Sequence, residues 1–227
     1  MNISVFGTGI VGQVLAQTLA AQGHTVTIGT RDVAAALGRT DTTATGYGEP
    51  FGVWARRHPD IQVRPYREAA EAGALLVNAT NGDGSLAALE AAGEAALGDK
   101  VLLDLANPLD FSRGMPPSLS ISNTDSLAET LQRRFPQLRI VKTLNTMNVM
   151  LMVNPASLAG GDHTVFLSGN DAAAKAQVTD LLRSFGWQDI LDLGDLSSAR
   201  GVEMLLPLWL RAWGVLGNVP FQFKVVR

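Results

Sequence analysis

The 227-residue sequence contains no cysteine, which excludes disulfide bonds, thiol catalysis and metal sites built on thiolates. The same absence is typical of a reducing compartment, and we expect a cytoplasmic protein. Histidine is also scarce: the chain has three, each in a stretch where a structural or surface role is expected. We therefore predict no metal site.

An excess of charge of one sign is absent, because 18 basic residues face 21 acidic ones and the formal net charge is -3. Without a long basic run we expect no nucleic-acid partner. Long hydrophobic runs are lacking too: the most apolar late stretch, 202–217, is too short to span a bilayer and contains Glu203 and Arg211. Met1-Asn2 leads directly into a strand pattern, which leaves no room for a signal peptide. We expect a small-molecule substrate and no membrane partner.

Short apolar strand patterns alternate with helical patterns along the chain. The strand patterns cover residues 3–6, 25–28, 61–64, 75–79, 101–105, 140–143, 164–168 and 189–193, and the helical patterns cover 11–22, 85–97, 125–135, 171–185 and 197–216. This alternation predicts a Rossmann-type, doubly wound α/β fold with a mainly parallel sheet, helices on both faces and a small C-terminal lobe. Loops are expected at 38–52 and 111–122.

Two functional parts are predicted within this fold. Residues 1–146 form the dinucleotide-binding domain, and residues 147–227 form an α/β extension with an apolar helix that completes an acceptor pocket or a dimer interface. A single compact domain is the alternative at this length.

The first strand pattern runs directly into a glycine motif, G-x-G-x-x-G, and then into a helical pattern. This order is typical of a dinucleotide site. The first glycine permits a tight turn, the second lets the backbone approach the phosphates, and the third lets the helix pack on the strand. The helix N-terminus offers N–H groups and its positive end to the anion. An ordinary glycine-rich turn is the alternative. The predicted cofactor-binding residues of this motif are Gly7, Thr8, Gly9, Ile10, Val11 and Gly12.

The end of the second strand pattern bears on the choice of nicotinamide cofactor. NAD-binding members of this fold place an acidic residue there, about 20 residues beyond the glycines, on the ribose 2′-hydroxyl. In this chain the position reads Gly29-Thr30-Arg31-Asp32. Thr30 and Arg31 can bind a 2′-phosphate and so predict NADP(H). The competing interpretation puts Asp32 on the ribose and leaves Arg31 as a solvated surface charge.

Later strand patterns also end in small or polar residues, which parallel strands would bring to the same edge of the sheet. Ala79 and Thr80, Asn107, and Asn145 follow three of these strands and are predicted cofactor contacts. Turn and cap chemistry explains Thr80 and the asparagines equally well. Lys142 is a candidate proton donor or phosphate contact, or else a lysine satisfied by strand-end carbonyls. We assign no catalytic residue.

The last helical pattern is the most apolar of the chain. Leu206, Pro207 and Trp209 are predicted to form the floor of a substrate pocket for a flat ring. Methionine and aromatic side chains suit a homodimer interface equally well, and we expect a homodimer. Pro207 should kink this helix or break it in two.

The order of these motifs resembles the NADPH-dependent F420 reductase family, also called F420H2:NADP oxidoreductases, over nearly the whole chain. The matching segments are 5–12 (VFGTGIVG), 23–26 (GHTV), 28–31 (IGTR), 141–146 (VKTLNT) and 204–209 (MLLPLW). The first two segments are shared with hydroxyacid dehydrogenases and pyrroline-carboxylate reductases, whereas the order of all five is more particular.

The resemblance implies roles for individual residues. Thr8, Gly9 and Ile10 would lie at the pyrophosphate, Thr30-Arg31 at the 2′-phosphate and Ala79-Thr80 along the cofactor. Two departures affect these expectations. Asp32 stands where the family often has another basic residue, and Thr143-Leu144 stands where it often has alanine-phenylalanine.

The expected function is hydride transfer between NADPH and coenzyme F420 or a flavin-like acceptor. Such a transfer depends on the alignment of two rings, which agrees with the scarcity of acid and base candidates. One alternative is NADPH-dependent reduction of a small carbonyl or imine. Another is a non-enzymatic sensor that binds NADP(H) and signals to a partner through residues 38–52.

Overall fold

The computed structural model describes residues 1–41 and 48–227 of the chain. The chain divides into two compact units, Met1–Leu102 and Leu103–Arg227. This division differs from the boundary expected at residue 146, and the functional roles of the two predicted parts remain predictions.

The first unit contains a parallel sheet of β1 (Asn2–Phe6), β2 (Thr25–Thr30), β3 (Gln62–Pro65) and β4 (Leu75–Asn78), in the order β4-β1-β2-β3. Val5 on β1 lies opposite Ile28 on β2 and Val77 on β4, and all three side chains are buried because helices cover both faces of such a sheet. The first unit ends within a further strand, β5 (Val101–Asp104), which crosses the division. Its helices are α1 (Ile10–Ala21), α2 (Val33–Gly38), α3 (Phe51–Arg57), α4 (Tyr66–Ala72), α5 (Gly82–Ala92) and α6 (Glu94–Leu97).

The second unit contains the strands β6 (Leu109–Asp110), β7 (Ser118–Leu119), β8 (Arg139–Thr143), β9 (Thr164–Gly169) and β10 (Asp189–Asp192). Strand β9 pairs antiparallel with β8 and parallel with β10, and β6 and β7 form a short antiparallel ribbon. The helices are α7 (Leu127–Arg134), α8 (Val149–Val153), α9 (Ala172–Ser184) and α10 (Ala199–Val215), with 3-10 turns at Pro155–Ser157, Ala159–Gly161 and Leu196–Ser198. The mainly parallel α/β fold of the Rossmann type is therefore confirmed.

Helix α7 shows how local sequence sets these boundaries. The hydroxyl of Ser126 accepts a hydrogen bond from the backbone N–H of Glu129 at 3.1 Å and donates to its carboxylate at 2.7 Å, which fixes the start of the helix. Arg133 and Arg134 lie in the last turn, where cations favour the negative end of the helix dipole. Pro136 then prevents continuation.

Four expectations about elements need correction or completion. The helix expected over 85–97 is two helices, α5 and α6, because Gly93 between them has a φ of +85°. The loop expected over 111–122 contains the short strand β7. The loop expected over 38–52 is described only in part, because residues 42–47 lie outside the described residues. Helix α10 continues through Pro207, so the proline does not break it in two, because the buried side chains on either side of the proline hold the helix on its neighbours. Within the described ranges, none of the helices is long and apolar enough to cross a bilayer.

Candidate functional site

The glycine turn after β1 has two positions that the fold itself restricts to glycine. Gly7 has a φ of +122°, and a Cβ there would lie 2.4 Å from the carbonyl oxygen of Ala79. A Cβ on Gly12 would lie 2.2 Å from the carbonyl oxygen of Gly7. Gly9 differs, because its φ is -75° and a Cβ there would meet no described atom within 4 Å. Glycine at this position fits a ligand that must approach the backbone closely.

Helix α1 begins directly behind this turn and presents its N-terminus without a side-chain cap. Gly9 is the N-cap residue, Ile10 and Val11 follow it, and the first turn holds no acidic residue. The unpaired N–H groups and the dipole can therefore receive an anion. The turn is braced from the helix, since the side-chain amide of Gln13 donates to the carbonyl oxygens of Thr8 and Glu49, each at 3.1 Å.

A cavity of about 540 Å³ opens beside the turn at the carboxyl ends of β1, β2 and β4. Gly7, Thr8, Gly9, Thr30, Arg31, Ala79 and Thr80 line it, so the structure brings these predicted cofactor residues together. Ile10, Val11 and Gly12 follow in α1. Sequence reasoning missed Arg39 and Tyr66, which line the same cavity.

Arg31, directly after the end of β2, presents a positive charge to this cavity. Arg31 is exposed and forms no ion pair with any residue that the structure describes. The side chain of Asp32 is the N-cap of α2 and accepts a hydrogen bond from the backbone N–H of Ala35 at 2.9 Å. This bond gives the Asp32 carboxylate a structural role, and Asp32 also lines the cavity beside Arg31.

Tyr66 supplies an aromatic wall to the cavity. Its ring packs against Phe6 with centroids 5.2 Å apart, and both rings pack over Gly29, whose missing side chain leaves room for α4. Burial raises the pKa of the Tyr66 hydroxyl, and the nearby charge of Arg31 offsets part of that increase. A signal in the sequence existed, since Tyr66 directly follows β3 at its carboxyl end.

The loop after β4 is held by three polar groups, of which Asn78 and Ser85 are buried and Thr80 is partly buried. The Thr80 hydroxyl donates to the side-chain oxygen of Asn78 at 2.7 Å and lies 2.9 Å from the Ser85 hydroxyl. Asn78 in turn donates to Ser85 at 3.1 Å. The Thr80 hydroxyl is therefore engaged in turn chemistry, and Ala79 and Thr80 form part of the cavity wall.

Asn107 and Asn145 bond to each other in the second unit. The Asn145 amide donates to the side-chain oxygen of Asn107 at 2.8 Å and to the carbonyl of Val202 at 3.1 Å, and Asn107 donates to the carbonyl of Asn145 at 3.0 Å. Leu144, just before Asn145, is buried with a φ of +61°, which is unusual for a bulky residue. These contacts tie the ends of β5 and β8 to α10.

Lys142 lies in a fully buried ion network. Its ammonium group is 2.8 Å from Asp104 and 2.8 Å from Glu203, and it also donates to the carbonyl of Ala106. Burial lowers the pKa of Lys142, but the two carboxylates outweigh this effect and hold the pKa above its ordinary value. A lysine that retains its proton in this way is a poor proton donor.

The predicted pocket residues of α10 are largely enclosed. Leu206 and Trp209 are buried, and the Trp209 ring stacks on Phe221 at 5.1 Å and on Trp213 at 6.1 Å. Pro207 is half-buried between them. Their assignment to a substrate pocket remains a prediction.

The site of the first unit defines a class of protein. A glycine turn, an uncapped helix N-terminus and a cavity with free arginine charge together form a Rossmann-type dinucleotide site. Among the described residues, no group of three or more acidic or histidine side chains could hold a metal ion.

Comparison with known proteins gives the family. Residues 2–108 match the family described as "NADP oxidoreductase coenzyme F420-dependent". A crystal structure from Arthrobacter sp. FB24, provisionally assigned as an F420-dependent NADP-reductase, is 55% identical over 100% of both chains, with a TM-score of 0.93. The chain belongs to this family and is an NADP-dependent oxidoreductase. The predictions of the family, the enzyme class and the NADP(H) cofactor are thereby confirmed.

More distant structures share the fold alone. A hypothetical protein from Sinorhizobium meliloti is 20% identical over 88% of both chains, with a TM-score of 0.66. A reductive aminase from Aspergillus terreus, solved in complex with NADPH and ethyl levulinate, is 17% identical over 96% of this chain and 62% of its own, with a TM-score of 0.62.

Proposed function

We propose that this oxidoreductase transfers a hydride between NADPH and coenzyme F420 or a flavin-like acceptor. The observation that carries the proposal is the 55% identity, over both full chains, to the Arthrobacter protein assigned as an F420-dependent NADP-reductase. An identity of this size over both full chains favours a common substrate class.

The residues of the first unit fit NADP(H). The diphosphate would lie at Gly7–Gly12, where Gly9 leaves open space and α1 presents its N-terminus. Thr30 and Arg31 would hold the 2′-phosphate, since Arg31 lines the cavity with its charge uncompensated. Tyr66 offers an aromatic face beside Arg31 for the adenosine part of the cofactor.

The chemistry that NADPH supplies when bound is hydride donation. One hydride, two electrons with one proton, passes to the acceptor ring, a second proton comes from solvent, and the products are NADP⁺ and the reduced acceptor. Reduction of a carbonyl or imine would instead require a proton delivered to the oxygen or nitrogen of the substrate. The network around Lys142 keeps that lysine protonated and buried, so Lys142 would not supply this proton.

Several finer assignments belong to the same proposal. Asn107 and Asn145 would order the strand ends of the second unit rather than bind the cofactor through free amides. Leu206, Pro207 and Trp209 would give α10 the rigidity to form an apolar wall for the acceptor. The homodimer and the cytoplasmic location remain predictions from the sequence.

Anaerobic assays with the purified protein and NADPH test the proposal. F420, FMN, a ferric chelate, a cyclic imine and a 2-keto acid are offered separately, and oxidation of NADPH is followed together with reduction of the acceptor. Reduction of F420 or FMN is expected. Turnover with the imine or keto acid alone would replace the acceptor assignment, and tight NADPH binding without turnover of any acceptor would support the sensor.

A further inference from the structure

Arg39 is a second cation of the cofactor cavity, separate from Arg31. The six-residue helix α2 carries the chain from the end of β2 to Arg39, which is the C-cap residue of that helix. Arg39 lines the cavity and is exposed, and no described carboxylate pairs with its guanidinium. Its charge is therefore available to a ligand.

The position of Arg39 is fixed by its backbone. Its carbonyl oxygen accepts a hydrogen bond from Gly52 at the start of α3, at 2.9 Å. A Cβ on Gly52 would lie 2.0 Å from the carbonyl oxygen of Leu37, so α2 and α3 meet backbone to backbone at this point. This close backbone contact fixes the position of the Arg39 Cα, from which the side chain extends.

Two contacts fix the guanidinium itself. One terminal nitrogen of Arg39 donates to the Thr8 hydroxyl at 2.5 Å, and the guanidinium lies over the ring of Phe51, 5.7 Å from its centroid. Thr8 stands between Gly7 and Gly9 in the turn. The remaining N–H donors of the planar guanidinium are thus held beside the turn where a dinucleotide diphosphate lies.

We propose that Arg39 binds the diphosphate of the cofactor, whereas Arg31 binds the 2′-phosphate. The proposal rests on the proposed function only through the NADP(H) site. Helix α1 offers N–H groups and a partial charge at its N-terminus, and Arg39 adds a full positive charge to the same anion. Because NADH and NADPH carry the same diphosphate, Arg39 contributes equally to both, and specificity resides in Arg31.

The test compares Arg39→Ala with Arg31→Ala in titrations with NADPH and NADH, followed by dinucleotide fluorescence. Arg39→Ala is expected to raise both dissociation constants by the same factor, about tenfold to a hundredfold for loss of a charge-assisted hydrogen bond. Arg31→Ala is expected to raise the constant for NADPH by such a factor and to change that for NADH less than about threefold. In the double variant the two losses for NADPH should multiply, because the two phosphates are bound independently.

Two further measurements keep a structural effect apart from a binding effect. Arg39→Lys retains the charge and should recover part of the affinity for both dinucleotides, and thermal melting should show each variant folded. A selective loss of NADPH in Arg39→Ala, or unchanged affinity for both dinucleotides, would overturn the proposal, and so would a wild-type protein that binds neither. Binding of NADPH without reduction of F420 would overturn the acceptor assignment and leave the role of Arg39 intact.

Discussion

The substitution Gly9→Ala should weaken cofactor binding while leaving the fold stable. A Cβ on Gly9 meets no described atom within 4 Å, and the φ of -75° is open to alanine. Two small effects on stability oppose each other: alanine is a poorer N-cap than glycine, which costs about 0.5–1 kcal/mol, and it restricts the unfolded chain, which gains about 0.4–1 kcal/mol. The net change should stay within about 1 kcal/mol, or about 4 °C in Tm.

The effect of Gly9→Ala on affinity should be much larger. The added methyl group occupies the space above the α1 N-terminus, so the diphosphate must move away from the N–H groups of the first turn. Loss of one charge-assisted hydrogen bond is worth about 1.5–3 kcal/mol, which predicts a dissociation constant for NADPH raised about tenfold to a hundredfold. Isothermal titration calorimetry and thermal melting measure the two quantities on the same sample.

Two other glycine variants serve as controls for Gly9→Ala. Gly12→Ala places a Cβ 2.2 Å from the backbone oxygen of Gly7 and should lose about 1–3 kcal/mol of stability or more. Gly201→Ala lies at an exposed position of α10, where a Cβ would meet no described atom within 4 Å, and should gain about 0.5–1 kcal/mol with unchanged affinity. The reasoning is refuted if Gly9→Ala binds NADPH within twofold of wild type, or if its Tm falls as far as that of Gly12→Ala.

Three further predictions concern side chains. Asp32→Ala removes the N-cap of α2 and should cost about 1 kcal/mol in urea unfolding, with unchanged affinity for NADH. Glu203→Gln leaves Lys142 paired with Asp104 but replaces one acceptor oxygen of the buried carboxylate by an amide that cannot accept, which should cost about 1.5–3 kcal/mol in the same assay. The hydrogen bond from Arg200 holds the pKa of Glu129 below its ordinary value, so this carboxylate stabilises the fold at neutral pH, by about 0.5–1 kcal/mol for a partly exposed pair. That advantage over Glu129→Gln should vanish as the pH falls below about 4.

Each of these predictions has a contrary outcome. A loss of NADH affinity in Asp32→Ala would place that carboxylate on the ribose after all. A Glu203→Gln protein as stable as wild type would mean that its carboxylate contributes nothing net to the buried network. A stability difference for Glu129→Gln that persists unchanged in acid would show that lost packing, rather than charge, separates the two proteins.

The parts of the site that follow from local sequence were predictable. The glycine turn, the start of α1 and the cation at Arg31 all depend on residues adjacent in the chain, and parallel strands bring Thr80 to the same edge. Arg39 gave no local signal, because its place depends on the backbone contact between α2 and α3. The position of Arg39 at the site is therefore set by tertiary structure and does not follow from a periodic sequence pattern.

The role of Lys142 needed tertiary structure for the same reason. Its two carboxylate partners, Asp104 and Glu203, lie far from it in sequence, and no spacing rule joins them. The proposed breaking of the last helix at Pro207 failed because a proline rule considers one helix in isolation. In α10 buried side chains lie on both sides of the proline, with Val202 and Leu206 before it and Trp209 after it. The packing of these side chains offsets the lost backbone hydrogen bond.

Glu203 also explains how a buried group with net negative charge is tolerated in the second unit. One lysine faces two carboxylates, which leaves one negative charge without a cation. Glu203 accepts hydrogen bonds from the backbone N–H groups of Leu127 and Ala128, at 2.8 and 3.2 Å, which form the N-terminus of α7. The positive end of that helix supplies the missing compensation. The carboxylate of Glu203 thus connects α10, α7 and β8. In the first unit the N-terminus of α1 is open to a bound anion, whereas in the second unit the N-terminus of α7 binds a carboxylate of the protein itself.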